Sequence, residues 1–176
     1  KQSSSLALPG SLPIVSVITH TKNRPEFLRE AIRSIAGQTY PNIELIVVGN
    51  GGTNCAKLVK EESVGHIQSY IYKHLAVQSG RSHTANIGLD ACKGEFIIFL
   101  DDANWFEPNH IENLTATILK HPDVKVVYTG TKCINENKNA LSIPFDLIRL
   151  ISENYIPIHS ALFSRSLLSL GCRADE

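Results

Sequence analysis

The sequence carries no excess charge of either sign. Lys and Arg together number 17 and Asp and Glu number 17, a net of zero over 176 residues. That balance speaks against a nucleic-acid binder working through a broad cationic face. No run of about 18 apolar residues occurs, so no segment reads as a membrane-spanning helix. The four cysteines, Cys55, Cys92, Cys133 and Cys172, are far apart and form no CxxC pair. This argues against a zinc knuckle and against a disulfide framework, and they read as reduced thiols of a cytosolic protein. Several nucleotide and nucleophile motifs are missing too. The glycine-rich stretch GNGGTN lacks the Lys and Ser/Thr of a Walker loop, and no GxGxxG follows a strand. No Ser/His/Asp spacing points to a nucleophilic triad. The opening KQSSSLALPGSLP has no apolar stretch of the signal-peptide kind and reads as a flexible leader over residues 1–13.

What is present is an ordinary globular composition, 43% hydrophobic and 19% charged, at a length that fits one domain. Strand and helix signals alternate. IVSVIT (14–19) is a β-branched run suited to a buried strand. Pro25 and Glu26 open a helix through Phe27, Leu28, Ala31, Ile32 and Ile35, with Gly37 as its stop. ELIVV (44–48) is a second strand, ending in the loop 49–54. Helix 55–63, strand 69–74, helix 81–92 and strand 95–100 follow, the last of them the apolar EFIIFL. Pro108 opens another helix, and 124–129 is the next strand. Residues 144–154 read as helix, and 160–170 as a short strand and a helix. This order predicts an α/β fold: a mainly parallel sheet with helices on both faces. Ligands of such sheets bind outside the carboxyl ends of the strands. Three loops then share one rim: 20–25, 49–54 and 101–105.

The strongest chemical signal is Asp101-Asp102, directly after EFIIFL. Two adjacent carboxylates at the end of so apolar a strand repel unless water or a cation offsets them. Hard divalent cations take oxygen ligands, and Mg²⁺ or Mn²⁺ typically bridges carboxylates to substrate phosphates. The alternative is a helix N-cap, a position that Asp favours. Asn50, in the glycine-rich loop, can donate to and accept from a nucleobase edge. His20 lies on the rim, where it either meets a nucleotide or is simply solvated. Arg81 either approaches phosphates or is plain surface charge. His83 lies on the same helix as Arg81, and His159, after NYIPI and before a short strand, is a candidate for lining the acceptor side.

Together these blocks resemble the family 2 glycosyltransferases, which have the GT-A fold. The likeness runs from Ile14 onward, through VSVITHTKNRPEFLREAIRSIAGQTYPNIELIVVGNGGTN, GRSHTANIGLDACKGEFIIFLDDANW, VVYTG and IHSALFSRSLLSLGCRADE. The resemblance implies one GT-A (Rossmann-like) domain over residues 14–176. It implies transfer of a sugar, with inversion, from a nucleoside-diphosphate-sugar donor of the UDP type. The acceptor is a hydroxyl on a glycan, lipid or other molecule. The activity implied is hexosyl or hexosaminyl transfer dependent on Mn²⁺ or Mg²⁺, as in cell-surface polysaccharide biosynthesis, by a cytoplasmic protein peripheral to the membrane. Thr19 and His20 stand at the nucleobase pocket, and Asn50 where an Asp usually contacts uracil. Asp102 stands as the direct metal ligand, with Asp101 at the ribose or behind the metal.

Three departures stand out. Gly49 and Asn50 replace two acids after the second strand. DDAN, with Ala103 and Asn104, lacks the further acid of the metal motif. The inverting base is implied beyond Glu176, with Asp175 and Glu176 matching the acids just before it, so the domain is expected to be cut short at its C-terminus. These departures keep open a non-catalytic sugar-nucleotide-binding domain. A nucleotidyltransferase ranks below it, because THTKNRPEF has no glycine after the first strand.

Overall fold

The computed structural model describes residues 12–132 and 143–175. Most of the expected leader, Cys133, much of the stretch 135–145 and Glu176 lie outside the described residues. Six strands form one sheet: β1 (Val15–Thr21), β2 (Ile43–Asn50), β3 (Ser69–Leu75), β4 (Phe96–Phe99), β5 (Val126–Tyr128) and β6 (Ala161–Ser164). Their spatial order is β3-β2-β1-β4-β6-β5. Strands β1 to β4 are parallel, while β6 runs antiparallel between β4 and β5. The mainly parallel α/β sheet expected from the alternation is therefore present, with one reversed strand inserted near its edge.

Helices cover both faces. On one face α1 (Pro25–Ala36), α2 (Ala56–Ser63) and α4 (His110–Lys120) pack on the sheet. Leu28, Ile32 and Ile35 meet Val15, Val17, Leu45, Val47 and Ile98 there. On the other face Leu89 of α3 (Arg81–Ala91), with Cys92 just beyond it, packs against Ile18, Ile46, Val48 and Ile97. This two-sided burial is why β1 and β2 read as continuous apolar runs rather than alternating ones. Each fully buried Ile or Leu contributes about 1.5–3 kcal/mol of transfer free energy.

Helix α1 begins as the sequence predicts, with Pro25 at its first turn, Glu26 near the positive end and Gly37 as its cap. Elsewhere the structure trims the expectation. The helix expected over 144–154 is only α5 (Leu147–Ser152), and it buries no residue. The helix expected within 160–170 is the 3₁₀ segment Arg165–Leu170, which ends on Gly171 at φ 82°. Without a sheet face to cover along its length, an apolar stretch has little to hold it in a long helix.

Candidate functional site

The register of β1 with β2 and β4 brings the three loops together. Thr21 pairs with Gly49, and Ile18 with Phe99, so β1 outruns β4 by three residues, Thr19–Thr21. Residues Asp101 and Asp102 pass alongside that overhang. The Leu100 backbone N–H donates to the Ile18 carbonyl at 2.9 Å, which fixes where the acids begin.

The two carboxylates have separate partners. Asp102 is buried. Its Oδ2 accepts from the Thr21 hydroxyl at 2.8 Å, and its Oδ1 lies 3.6 Å from an Arg24 guanidinium nitrogen. Asp101 is more open. Its Oδ1 is 3.4 Å from His20 Nδ1, and its Oδ2 accepts from Arg81 at 3.1 Å. Neither acid caps a helix. Helix α4 begins only at His110, with Asn109 at the cap position. The N-cap alternative for Asp101-Asp102 is therefore removed, and their mutual repulsion is left to be offset by the cations around them.

Among the described residues, no group of three or more His, Cys, Asp or Glu side chains gathers as a metal cage. A hard cation at this rim would have one or two carboxylates and would need substrate phosphates to complete its shell. The Asp102 carboxylate, buried and already oriented by Thr21, would be the better oriented of the two toward a cation. The residues present thus fit Mg²⁺ or Mn²⁺ bound together with a diphosphate.

The glycine-rich loop has a different local logic from the one its composition suggests. Gly51 and Gly52 have φ of 73° and 70°, which favour glycine. A Cβ at Gly52 would lie 2.0 Å from Asn23 Oδ1, which accepts from the Thr53 N–H at 2.9 Å. The close approach is to the β1–α1 loop, and it clamps two rim loops together. A side chain at Gly49 would meet the Tyr72 hydroxyl at 2.7 Å and His74 Nδ1 at 3.0 Å. An acid at that position would have to displace the Tyr72 and His74 side chains.

Asn50 is buried on the rim, and its amide faces backbone. Nδ2 donates to the Ser79 carbonyl at 2.8 Å, and Oδ1 accepts the Ser79 N–H at 2.8 Å. This pair of bonds closes the β3–α3 connection onto β2 and aims the start of α3, including Arg81, at Asp101. We expect Asn50→Ala to strand both Ser79 groups and cost about 1–3 kcal/mol of stability, measured by urea denaturation. A change under about 0.5 kcal/mol would show that water replaces the amide.

The other sequence-predicted residues divide. Thr19 is wholly buried, and its hydroxyl finds no partner among the described residues. His83 is exposed on α3, apart from the carboxylates' contacts. His159 is half-buried. Burial pushes its pKa down, and the nearby Asp101 carboxylate opposes that shift. His110 is likewise lowered by burial; its ring stacks on Phe106 at 4.5 Å. The His159 carbonyl favours the charged form of His110, although no well-formed hydrogen bond reaches Nε2. Asp175 is held near the rim by its backbone, whose carbonyl accepts from the Ser82 hydroxyl. A cavity of about 320 Å³ opens beside Asp101, lined by His20, Arg81, Phe99, Phe163 and Leu167. Sequence reasoning missed Thr21 and Arg24. The available signal was TKNRP itself, a hydroxyl and a cation in the turn before a helix on the ligand rim.

Comparison with known proteins agrees with this geometry. The uncharacterized glycosyltransferase RT0329 of Rickettsia typhi is 34% identical over 131 residues, covering 73% of this chain and 40% of that protein. The chain thus spans less than half the length of that relative. TarS 1–349 of S. aureus, solved in complex with UDP-GlcNAc, superimposes with a TM-score of 0.73 at 21% identity, over 89% of this chain and 47% of that one. The mannosyltransferase PcManGT of Pyrobaculum calidifontis, in complex with GDP-Man and Mn²⁺, gives 0.70 at 20% identity, over 92% of this chain and 47% of that one. At that identity these structures establish the GT-A fold. The family model described as glycosyl transferase family 2 matches residues 16–168. With the sheet, the rim and its acids in place over that whole span, the chain belongs to glycosyl transferase family 2.

Proposed function

We propose that the chain binds a nucleoside-diphosphate sugar of the UDP type on the rim and supports transfer of the sugar to an acceptor hydroxyl, with inversion and with Mn²⁺ or Mg²⁺. The observation that carries this reading is the pair Asp101-Asp102. It closes a buried strand, caps no helix and is ringed by His20, Arg24 and Arg81. The solved neighbours named above hold UDP-GlcNAc in one case and GDP-Man with Mn²⁺ in another, which supports a nucleotide sugar of this kind.

In this reading Asp102 holds the metal, and Asp101 faces the ribose or stands behind the metal. The chemistry such a cation would supply there is Lewis-acid neutralisation of charge on a departing diphosphate. Arg81, exposed beside Asp101, reaches the phosphates. His20 lies at the nucleotide, with Thr19 buried beneath it. Asn50 keeps one amide proton beyond its bond to Ser79, and it shapes the base pocket mainly by closing the β3–α3 connection. His159 and the cavity beside Asp101 lie on the acceptor side. The base that takes the acceptor proton is assigned to no described residue. A sugar-nucleotide-binding role without transfer is the second reading, favoured by Gly49 and Asn50 in place of acids and by Ala103.

The test is thermal stability with nucleoside diphosphates. UDP at about 100 times its dissociation constant should add about 2.7 kcal/mol in the presence of Mn²⁺. For a chain of this size that is a rise of about 5–10 °C in Tm. With EDTA the rise should disappear. An equal rise with EDTA would sink the metal bridge. A larger rise with GDP than with UDP would change the base assignment.

A further inference from the structure

Resting on the metal and donor reading above, we infer that Arg24 is an internal counterion of Asp102 that must leave the carboxylate for a metal to bind, and that it moves to the donor diphosphate when it does.

The argument starts from what surrounds Asp102. Both of its oxygens are spoken for. Thr21 donates to Oδ2 at 2.8 Å, and Arg24 faces Oδ1 at 3.6 Å. The two partners differ in kind. Thr21 is buried on β1 and is a neutral donor, so it can keep its bond while the carboxylate ligates a cation on its other oxygen. Arg24 is a charge, and a guanidinium and a divalent ion cannot share Oδ1 without strong repulsion.

Arg24 is also free to move. Its side chain is 58% exposed, against 8% for Asp102. It occupies the N-cap position of α1 but makes no side-chain cap bond there. Among the described residues Asp102 is its one charged partner within ion-pair distance. Lys22, two residues earlier, is held by Gln78. The backbone of Arg24 is fixed, because its carbonyl accepts from the Leu28 N–H at 3.0 Å in the first turn of α1. The side chain therefore pivots from a rigid point beside the metal position. A diphosphate held at Asp102 together with a metal would offer Arg24 a new anionic partner, and a guanidinium matches phosphate oxygens in bidentate fashion. Arg24 then opposes metal without donor and favours metal with donor. The site is loaded by the metal–nucleotide complex in preference to the bare ion.

The test separates the two halves by their sign. Free Mn²⁺ is followed by electron paramagnetic resonance during titration into the wild type, Arg24→Ala, Arg24→Lys and Thr21→Val. Each titration is run without nucleotide and again with saturating UDP, and UDP affinity at fixed Mn²⁺ is measured by calorimetry. Arg24→Ala is expected to bind Mn²⁺ alone about two- to fivefold more tightly, the range spanned by exposed ion pairs. The same variant should bind UDP with Mn²⁺ about tenfold or more weakly, as a charge-assisted phosphate contact is lost. Arg24→Lys keeps the charge and should stay near wild type for Mn²⁺ alone while losing part of the UDP affinity. Thr21→Val frees a carboxylate oxygen of its orienting bond and should weaken Mn²⁺ in both arms. An Arg24→Ala protein that binds Mn²⁺ alone no better than wild type overturns the counterion role. One that binds UDP with Mn²⁺ unchanged overturns the move to phosphate. If wild type takes up no Mn²⁺ even with UDP, the metal reading itself fails and Arg24 falls with it.

Discussion

Asp102→Ala is expected to lower UDP affinity in the presence of Mn²⁺ by about 100-fold or more, the scale on which a Lewis-acid metal contact acts. The fold should survive. Asp102 is tied to the protein by one buried hydroxyl and one largely exposed cation, so its loss to alanine costs about 1–3 kcal/mol. Because the alanine also strands the Thr21 hydroxyl, Asp102→Asn is the sharper comparison. It keeps an acceptor for Thr21 and nearly the same volume, and it removes only the charge. Asp102→Asn should melt close to wild type without ligand, Asp102→Ala somewhat lower, and neither should show a Mn²⁺-dependent rise with UDP. If Asp102→Asn binds UDP with Mn²⁺ as wild type does, Asp102 is no ligand. The metal would then have to rest on Asp101, already engaged by His20 and Arg81.

The parts of this site that could be read from residues are those set by local pattern. IVSVIT, ELIVV and EFIIFL announce buried parallel strands because each is apolar on both faces. The rule that ligands gather at carboxyl ends then converts three separate loops into one rim. Asp101-Asp102 stood out because its chemistry conflicts with the strand before it. What local pattern does not carry is long-range register. Strand β6 enters antiparallel between β4 and β5, and nothing in ALFS specifies that neighbour. Thr21 and Asp102 are 81 positions apart, and their bond follows from the three-residue overhang of β1, which no periodicity reveals. GNGGTN is ambiguous by composition, since a glycine close to backbone and a glycine close to a ligand look alike in sequence. Only the 2.0 Å approach of a Cβ at Gly52 to Asn23 tells the two apart. Glu44 is likewise buried in a hydrogen-bonded network that holds the opposite end of the sheet, a role its place at the start of ELIVV does not signal.

That network makes a single added methyl group costly at Gly94, because the closest atom it would meet is backbone. Gly94 lies in the turn between α3 and β4, and its N–H donates to Ser16 Oγ at 2.9 Å. Ser16 in turn donates to Glu44 Oε2 at 2.6 Å, which also accepts the Lys93 N–H at 2.9 Å. A Cβ on Gly94 would lie 2.5 Å from the Ile14 carbonyl oxygen and 2.8 Å from the Ser16 nitrogen. Both are backbone atoms of or beside β1, the strand whose overhang frames the acids, so neither can swing aside as a side-chain end does. Gly94→Ala must therefore push the turn away from β1, straining the β1–β4 register and breaking buried hydrogen bonds. Overpacking of this kind together with lost hydrogen bonds should cost about 3 kcal/mol. In a domain of this size that lowers Tm by about 6–12 °C. Ser16→Ala should not rescue it, because the clash with the Ile14 carbonyl remains. Gly80→Ala is the control. A Cβ there meets nothing within 4 Å, so the change should cost about 1 kcal/mol or less even though Gly80 caps α3. Since β4 leads straight into Asp101 and Asp102, Gly94→Ala should also weaken UDP binding with Mn²⁺, although it touches none of the rim residues. A Gly94→Ala protein that melts with the wild type would mean that the turn relaxes without moving β1, and that the placement of the acids does not depend on this contact.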